Sequence, residues 1–251
     1  MTLQMIILLI VSGIAVGFIN TLAGGGAIMS MTVFMALGLP IGVANGTNRI
    51  AVVLQNLTSS AVFIKKRLLD IRSGLKLSFP AIIGNIAGSL VATQINETVF
   101  KICMGVVLFA ILAYMLFAKV HIHGGHGLVI KWWHYLWFLV IGFYGGYVYI
   151  GLGYLILAIT LTTMHLDIIT ANVVKSFVIF VATPFSLIIF MLHGQVDYGV
   201  GLLHAFGNII GTYIASHYGI HWGTKFLQYF MIAVVMVSIA DLFGLISLHE
   251  I

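Results

Sequence analysis

The sequence predicts an all-α, polytopic membrane protein built from two homologous halves, and three observations carry this prediction. Hydrophobic residues make up 61% of the 251-residue chain and charged residues only 7%, whereas an ordinary soluble domain has about 25% charged residues. Apolar segments long enough to cross a bilayer recur along the chain. Short motifs of the first half return in the same order in the second half.

Eight apolar segments have roughly the 20 residues that a helix needs to cross the hydrocarbon core. They span residues 3–22, 43–64, 75–93, 100–118, 132–150, 168–192, 200–216 and 226–245. The eight segments form two series of four, one in each half. In each series a shorter apolar stretch follows the first segment: 27–39 in the first and 152–164 in the second. These shorter stretches predict tilted short helices or half-helices that enter the membrane and return. The N-terminal segment lacks a basic n-region and a cleavage site, so we expect a retained first helix.

Matching motifs predict an internal duplication. GFIN at Gly17, the Ala44-Asn45 pair, Asp70 and GNIAG at Gly84 correspond to GFYG at Gly142, Ala171-Asn172, Asp197 and GNIIG at Gly207. The separations lie between 123 and 127 residues, and such repeats are typical of secondary transporters. We expect a first transmembrane repeat over residues 1–120, a Gly- and His-rich cytoplasmic linker over 121–131 and a second repeat over 132–251.

The distribution of basic residues predicts the orientation of the chain. One loop of the first half is crowded with Lys65, Lys66, Arg67, Arg72 and Lys76, which places it in the cytoplasm. The corresponding loop of the second half, residues 193–198, has no Lys or Arg. Loops on opposite faces require an odd number of crossings per half. We therefore favour an inverted 5+5 repeat, with a parallel 4+4 arrangement as the alternative.

Composition and motifs also limit the classes of function that the protein can have. The formal charge of +5 comes mostly from loop Lys and Arg, so it indicates topology and contact with anionic lipid headgroups, and no nucleic-acid partner. The single cysteine, Cys103, excludes a disulfide within the chain. Neither GxSxG, HExxH nor a nucleotide-binding loop occurs. We expect a multi-pass protein of the cell membrane with no enzymatic activity and no cofactor, and the sequence leaves homo-oligomers open.

Arg49 and Lys175 stand out because they fall inside apolar segments at comparable places in the two halves. A charge at membrane depth costs several kcal/mol unless it is paired or reaches water. Two interpretations stay open: the side chains snorkel to an interface, or they face a cavity and attract an anion. Alignment on Ala44 and Ala171 places Lys175 opposite Asn48, and this slip of one residue rotates the side chain by about 100°.

Glycines mark the break between the first helix and the first short stretch. Gly24, Gly25 and Gly26 permit a sharp turn and a close backbone approach to a ligand. Amides freed at the start of a half-helix can bind an anion, although a plain tight turn or close helix packing explains the same residues. The second half retains only Gly151 and Gly153 among bulkier residues.

Neutral polar residues accompany these groups. Those that can line a pathway are Asn45, Thr47, Asn48, Gln55, Asn56, Asn172 and Thr183. Histidines offer a different interpretation, because His121, His123 and His126 of the linker have the side-chain type that binds zinc or copper. A solvated linker without a metal is the preferred interpretation, since no Cys or acidic residue stands nearby.

The stretches GFINTLAGGGAIMS and LGLPIGVANGTNRI resemble the sulfite exporter TauE/SafE family of membrane permeases. The elements that carry the resemblance are Gly17–Asn20, Gly24–Gly26, Leu37–Pro40 and Ala44–Arg49. The second half departs from the pattern, because its glycine cluster is eroded and ANVVK lacks the usual Thr. The resemblance implies transport of a small sulfur-containing or organic anion, such as sulfite or a sulfonate.

The leading hypothesis is thus an anion transporter whose site lies between the two repeats near broken helices. Arg49 and Lys175 supply positive charge, the glycines supply backbone donors, and the Asn and Thr side chains supply neutral hydrogen bonds. The alternatives are a membrane-embedded enzyme or metal-binding protein that uses the histidines, and an assembly subunit without flux of its own. The substrate, the direction and the coupling ion are left open.

Overall fold

The described part of the chain folds into long helices interrupted by two short ones. The computed structural model describes residues 1–22, 24–94, 96, 98–100, 102–103, 105–106, 109 and 129–219. Its helices are α1 (Leu3–Leu22), α2 (Ala27–Ala36), α3 (Ile41–Lys65), α4 (Ile71–Ala92), α5 (Trp132–Tyr147), α6 (Leu152–Thr162), α7 (Ile168–Leu192) and α8 (Tyr198–Tyr218). No strand occurs within these residues.

The helix lengths follow the order that the repeated motifs predict. The first four helices have 20, 10, 25 and 22 residues, and the next four have 16, 11, 25 and 21. Three of the later helices begin at an aspartate whose carboxylate accepts backbone N–H groups of the first turn: Asp70 for α4, Asp167 for α7 and Asp197 for α8. A carboxylate at this place both satisfies orphan amides and complements the helix dipole.

Polar residues are concentrated inside the helix bundle and apolar residues cover much of its outside. On α3 the buried side chains include Asn45, Arg49, Gln55 and Asn56, whereas Phe79 of α4 is 68% exposed. A water-soluble protein shows the opposite tendency. α1, α4 and α7 are the described helices that combine the length and the mean hydropathy needed to cross a membrane. The outer surface therefore suits hydrocarbon.

The two halves are joined by close helix packing at the repeated glycines. A methyl group built on Gly207 of α8 would overlap the carbonyl of Ile10 in α1, and one built on Gly84 of α4 would overlap the carbonyl of Leu139 in α5. Small residues at helix contacts let the backbones approach closely in membranes. The GNxxG motifs thus pack the fourth helix of each half against the first helix of the other half.

Contacts between helices give their relative directions. Gly46, early in α3, packs against Phe190, late in α7, while Phe63, late in α3, lines a small cavity with Ile169, early in α7. The helices α3 and α7 are therefore antiparallel.

The same reasoning gives the directions of α1 and α8 relative to α3. Gly13 and Gly17 of α1 meet His204 and Asn208 of α8 in the same order, so α1 and α8 are parallel. The α3 and α8 helices are also parallel, because Thr47 contacts Asp197 and Ile50 contacts Gly201. Since α1 and α3 thus run in the same direction, the short helix α2 and its flanking turns must carry the chain back between them.

Several predictions from sequence concern residues outside the described part. The segment 226–245 and the linker histidines His121, His123 and His126 lie there, as does most of the segment 100–118. Within the described part, the predicted all-helical membrane fold is confirmed. The division into domains at residues 120 and 131 stays a prediction.

Candidate functional site

The two interruptions of the helices meet at the centre of the described structure. We call the turn between α1 and α2 the first break and residues 148–151, between α5 and α6, the second break. Gly24 in the first break has a φ of 96° and Gly151 in the second has a φ of 77°, a conformation that glycine adopts without strain. A methyl group built on Gly24 would lie 2.7 Å from the Cα of Gly153. The N-termini of the two short helices are therefore in close proximity.

Arg49 of α3 is fully buried and binds the end of α5. Its guanidinium donates to the carbonyl oxygens of Gly145 and Gly146 at 2.5 and 3.0 Å, and to Asn45 Oδ1 at 3.1 Å. The Asn45 amide in turn donates to the carbonyl of Tyr147 at 3.0 Å. A helix leaves its last carbonyls without intrahelical partners, and a cation at that end is favourable. Arg49 and Asn45 together satisfy the end of α5.

Lys175 of α7 makes the corresponding contacts with the end of α1. Its ammonium donates to the carbonyl oxygens of Asn20 and Thr21 at 3.1 and 3.0 Å, and to Asn172 Oδ1 at 2.6 Å. The side chain is 1% exposed. Each cation thus binds the C-terminal carbonyls of the first helix of the opposite half, and the side chains do not snorkel to an interface.

The slip of one residue between the two halves has little effect on this geometry. Arg49 pairs with Asn45, four residues earlier, and Lys175 pairs with Asn172, three residues earlier. Positions three and four residues apart lie on the same face of a helix. Because the Arg and Lys side chains are long, the offset of one residue along the helix does not prevent both cations from reaching equivalent carbonyl groups.

The positive charge of this region is not neutralised by a carboxylate of the described residues. The described acids Asp70, Asp167 and Asp197 each cap a helix N-terminus, and the hydrogen-bond partners of Arg49 and Lys175 are neutral carbonyl and amide oxygens. Neutral dipoles lower the cost of burying a cation but leave its charge in place. Among the described residues, the two buried cations therefore carry positive charge that no carboxylate offsets.

Other residues that the sequence singles out are the three glycines, Gln55 and Asn48. Gly24, Gly25 and Gly26 form the first break. Gln55 accepts a hydrogen bond from Asn20 at 3.4 Å, which places it beside the carbonyls that Lys175 binds. Asn48 is buried, and no hydrogen bond of its side chain is found in the described part of the chain.

Three of the predicted residues make other contacts. The Thr47 hydroxyl accepts the backbone N–H of Asp197 at 2.9 Å, so it supports the start of α8. Asn56 donates to the carbonyl of Val52 in its own helix. Thr183 lines a cavity of about 10 Å³ together with Asn85 and Leu152, about the room that one water molecule needs.

Several aromatic residues at the breaks were missed by reasoning from sequence. The hydroxyl of Tyr144 donates to the carbonyl of Ile150 at 2.5 Å. Tyr149 has a positive φ of 68°, and its ring centroid lies 4.9 Å from the guanidinium carbon of Arg49. Tyr154 packs against Gly25. In the sequence these residues belong to an apolar, aromatic stretch in which only the glycines signal a turn.

The histidine alternative gains no support from the described residues. No group of three or more His, Cys, Asp or Glu side chains able to hold a metal ion is found among them. The buried ring of His204 contacts the Ser30 hydroxyl at 2.9 Å through Nε2 and the Leu9 carbonyl at 3.1 Å through Nδ1. Such a ring joins α8 to α1 and α2 as an ordinary hydrogen-bonded core residue.

Comparison with known proteins assigns the chain to a family. The model of the sulfite exporter TauE/SafE family matches residues 9–242, a stretch that includes both breaks and both buried cations. The chain belongs to this family. The predicted resemblance is therefore confirmed, and the GFIN, glycine-cluster and ANGTNR elements of the first half lie at the first break and on α3.

Curated relatives agree with the family assignment. A protein of Haemophilus influenzae named "Probable membrane transporter protein" is 24% identical over 85% of this chain and 85% of its own length. "Probable membrane transporter protein ORF9" of Sinorhizobium sp is 25% identical over 92% of this chain and 88% of its own length. "Probable membrane transporter protein YfcA" of Escherichia coli K12 is 23% identical, over 90% and 85% respectively. No solved structure matches the chain. The TauE/SafE chain is a membrane transporter.

The capping role of Arg49 predicts a loss of stability when its guanidinium is removed. In Arg49→Gln, the shorter side chain cannot reach both Gly145 and Gly146, and each buried carbonyl left without a partner costs about 1–3 kcal/mol. We expect a clear fall in the midpoint of thermal unfolding in detergent, and a smaller fall for Arg49→Lys. Arg72→Gln, which alters an exposed arginine, should leave the midpoint unchanged. A wild-type midpoint in Arg49→Gln would show that the guanidinium does not hold the end of α5.

Proposed function

We propose that this protein carries small oxyanions, such as sulfite or sulfonates, across the cell membrane, with a site between its two halves beside the broken helices. The observation that carries the proposal is the pair of buried cations, Arg49 and Lys175, whose partners are all neutral oxygen atoms. An anion is the ligand that such a charge attracts. The family name supports sulfur oxyanions as the substrate class.

The arrangement of the short helices supports the same proposal. The N-termini of α2 and α6 lie near each other, and neither has a side-chain cap. Broken helices whose N-termini point at an anionic group are typical of secondary transporters. The amides of Gly25 and Gly26 would offer backbone donors, since that of Gly24 already donates to the carbonyl of Ile19 at 3.3 Å. Asn48, Asn172 and Gln55 would complete the polar lining.

A change of conformation would accompany binding. The cavity lined by Thr21 and Asn172, two neighbours of the Lys175 ammonium, has a volume of about 20 Å³. This volume suits roughly one water molecule and is too small for sulfite. The halves would therefore have to separate slightly on one side of the membrane to admit the substrate, as in alternating access.

We further propose that the two halves form an inverted repeat of five crossings each. The antiparallel α3 and α7, which occupy the same place in their halves, support opposite orientations. The common direction of α1 and α3 supports counting the short helix α2 as a crossing. In a parallel 4+4 arrangement α3 and α7 would point the same way.

The transport proposal predicts that flux depends on the charge of Lys175. In Lys175→Gln the amide can still donate to the carbonyls of α1, whereas the positive charge is gone. We expect wild-type protein in proteoliposomes to transport at least one of sulfite, thiosulfate and sulfoacetate. Lys175→Gln should reduce that flux about tenfold or more, a factor that corresponds to the free energy of a hydrogen bond to a charged group. The matched control is Lys65→Gln, at an exposed lysine.

Two results would contradict the transport proposal. The first is the absence of flux of all three anions in the wild type. The second is normal flux in a Lys175→Gln variant that folds, as judged by its elution from a sizing column and its unfolding midpoint.

The inverted repeat predicts that equivalent loops lie on opposite sides of the membrane. In a Cys103→Ser background, we expect Leu68→Cys, in the basic loop, to react with an impermeant maleimide only after the cells are permeabilised. His193→Cys, in the loop after α7, should react in intact cells. Both positions are exposed. Labelling of both from the same side would favour the 4+4 arrangement.

A further inference from the structure

The two breaks differ in the partners of their carbonyl groups, because protein side chains bind several carbonyls of the second break. Arg49 binds the carbonyls of Gly145 and Gly146, Asn45 binds that of Tyr147 and Tyr144 binds that of Ile150. The guanidinium also lies 4.9 Å from the ring centroid of Tyr149 and 5.3 Å from that of Phe190. These contacts occupy carbonyl oxygens of the second break, whereas the amides of Ile150 and Gly151 and the Nε of Arg49 donate no hydrogen bond within the described part of the chain.

The first break retains donors without partners. The amides of Gly25 and Gly26, just before α2, donate no hydrogen bond to any described residue. The helix α2 has 10 residues and no side-chain cap, so its N-terminus offers partial positive charge to a ligand. A free helix N-terminus alone does not make a binding site, and a second feature is needed.

Tyr154 of α6 supplies that second feature. The residue is 4% exposed, and its hydroxyl forms no hydrogen bond within the described part of the chain. The hydroxyl occupies the space beside Gly25 so closely that a methyl group at Gly25 would overlap it. A buried hydroxyl without a partner is costly, and its retention at this place is explained if a ligand completes its hydrogen bond.

The neighbours of Gly25 connect this hydroxyl to the buried ammonium. Gly26 packs against the side chain of Asn20, and the carbonyl of Asn20 accepts a hydrogen bond from Lys175 at 3.1 Å. The phenol hydroxyl and the two backbone amides therefore lie near a buried cation, whose own three N–H groups are used by Asn20, Thr21 and Asn172. The unpartnered groups are all hydrogen-bond donors, which selects a ligand with several negatively charged oxygen atoms.

We propose an oxyanion site at the first break, formed by the amides of Gly25 and Gly26 with the hydroxyl of Tyr154 as a direct, specificity-determining donor. This inference rests on the proposed anion transport and deepens it. The first half supplies the glycines and the second half supplies Tyr154, so the ligand binds both halves at once. Lys175 and Arg49 hold the helix ends and contribute positive potential.

The pair of variants Tyr154→Phe and Tyr144→Phe tests this assignment, because each removes a single hydroxyl. The Tyr154 hydroxyl has no protein partner, so its loss should leave the unfolding midpoint at or above the wild-type value. It should raise KM for the transported anion about tenfold, as expected for a hydrogen bond to a charged ligand. The Tyr144 hydroxyl bonds only the protein, so Tyr144→Phe should lower the midpoint while KM stays within about twofold.

The measurement uses proteoliposome uptake of sulfite, thiosulfate and sulfoacetate, together with unfolding midpoints recorded with and without each anion. A wild-type KM in Tyr154→Phe, with transport intact, would overturn the site while leaving the transport proposal in place. A wild type that neither transports nor is stabilised by any of the three anions would overturn both. A purely structural role of Tyr154 would show as a lowered midpoint with an unchanged KM.

Discussion

The structure depends on the binding of helix-end carbonyls by a buried cation from the opposite half. A helix that stops inside a membrane leaves carbonyl groups without partners, and each unsatisfied group costs several kcal/mol where no water is present. Arg49 satisfies the end of α5 and Lys175 satisfies the end of α1. These bonds permit the breaks, and the breaks in turn bring the N-termini of the short helices to the centre of the bundle.

The same interaction is the basis of the proposed anion site. Carbonyl oxygens stabilise a buried cation without cancelling its charge, and the described carboxylates are all used as helix caps. A bound anion would supply the missing charge. In this account the anion binds at the glycine-lined first break, where the amides of Gly25 and Gly26 and the hydroxyl of Tyr154 have no partner among the described residues.

Sequence reasoning predicts the features that have a local cause. The predicted segments 3–22 and 168–192 coincide with α1 and α7, because apolar runs and helix ends are local properties. The predicted segment 75–93 begins too late, since Asp70 caps α4 and extends it through the basic residues of the loop. The segment 132–150 ends too late, because the chain leaves the helix at Tyr147 and turns through Tyr149 with a positive φ.

The candidate site is predictable only in part for the same reason. A charge inside an apolar segment is conspicuous, so Arg49 and Lys175 can be found from sequence alone. Their carbonyl partners and the contact between Gly25 and Tyr154, which are 129 residues apart, depend on the tertiary fold. Likewise Thr47 resembles its polar neighbours in sequence, yet the helix turns its hydroxyl toward Asp197 and away from the breaks.

The most direct test of this account is to locate a bound oxyanion by the anomalous scattering of selenite, the selenium analogue of sulfite, in crystals of the full chain. The account predicts a peak at the first break, within hydrogen-bonding distance of the Tyr154 hydroxyl and the Gly25 and Gly26 amides. A peak beside Arg49 at the second break, a peak only on the surface of the protein, or no peak at all would contradict it.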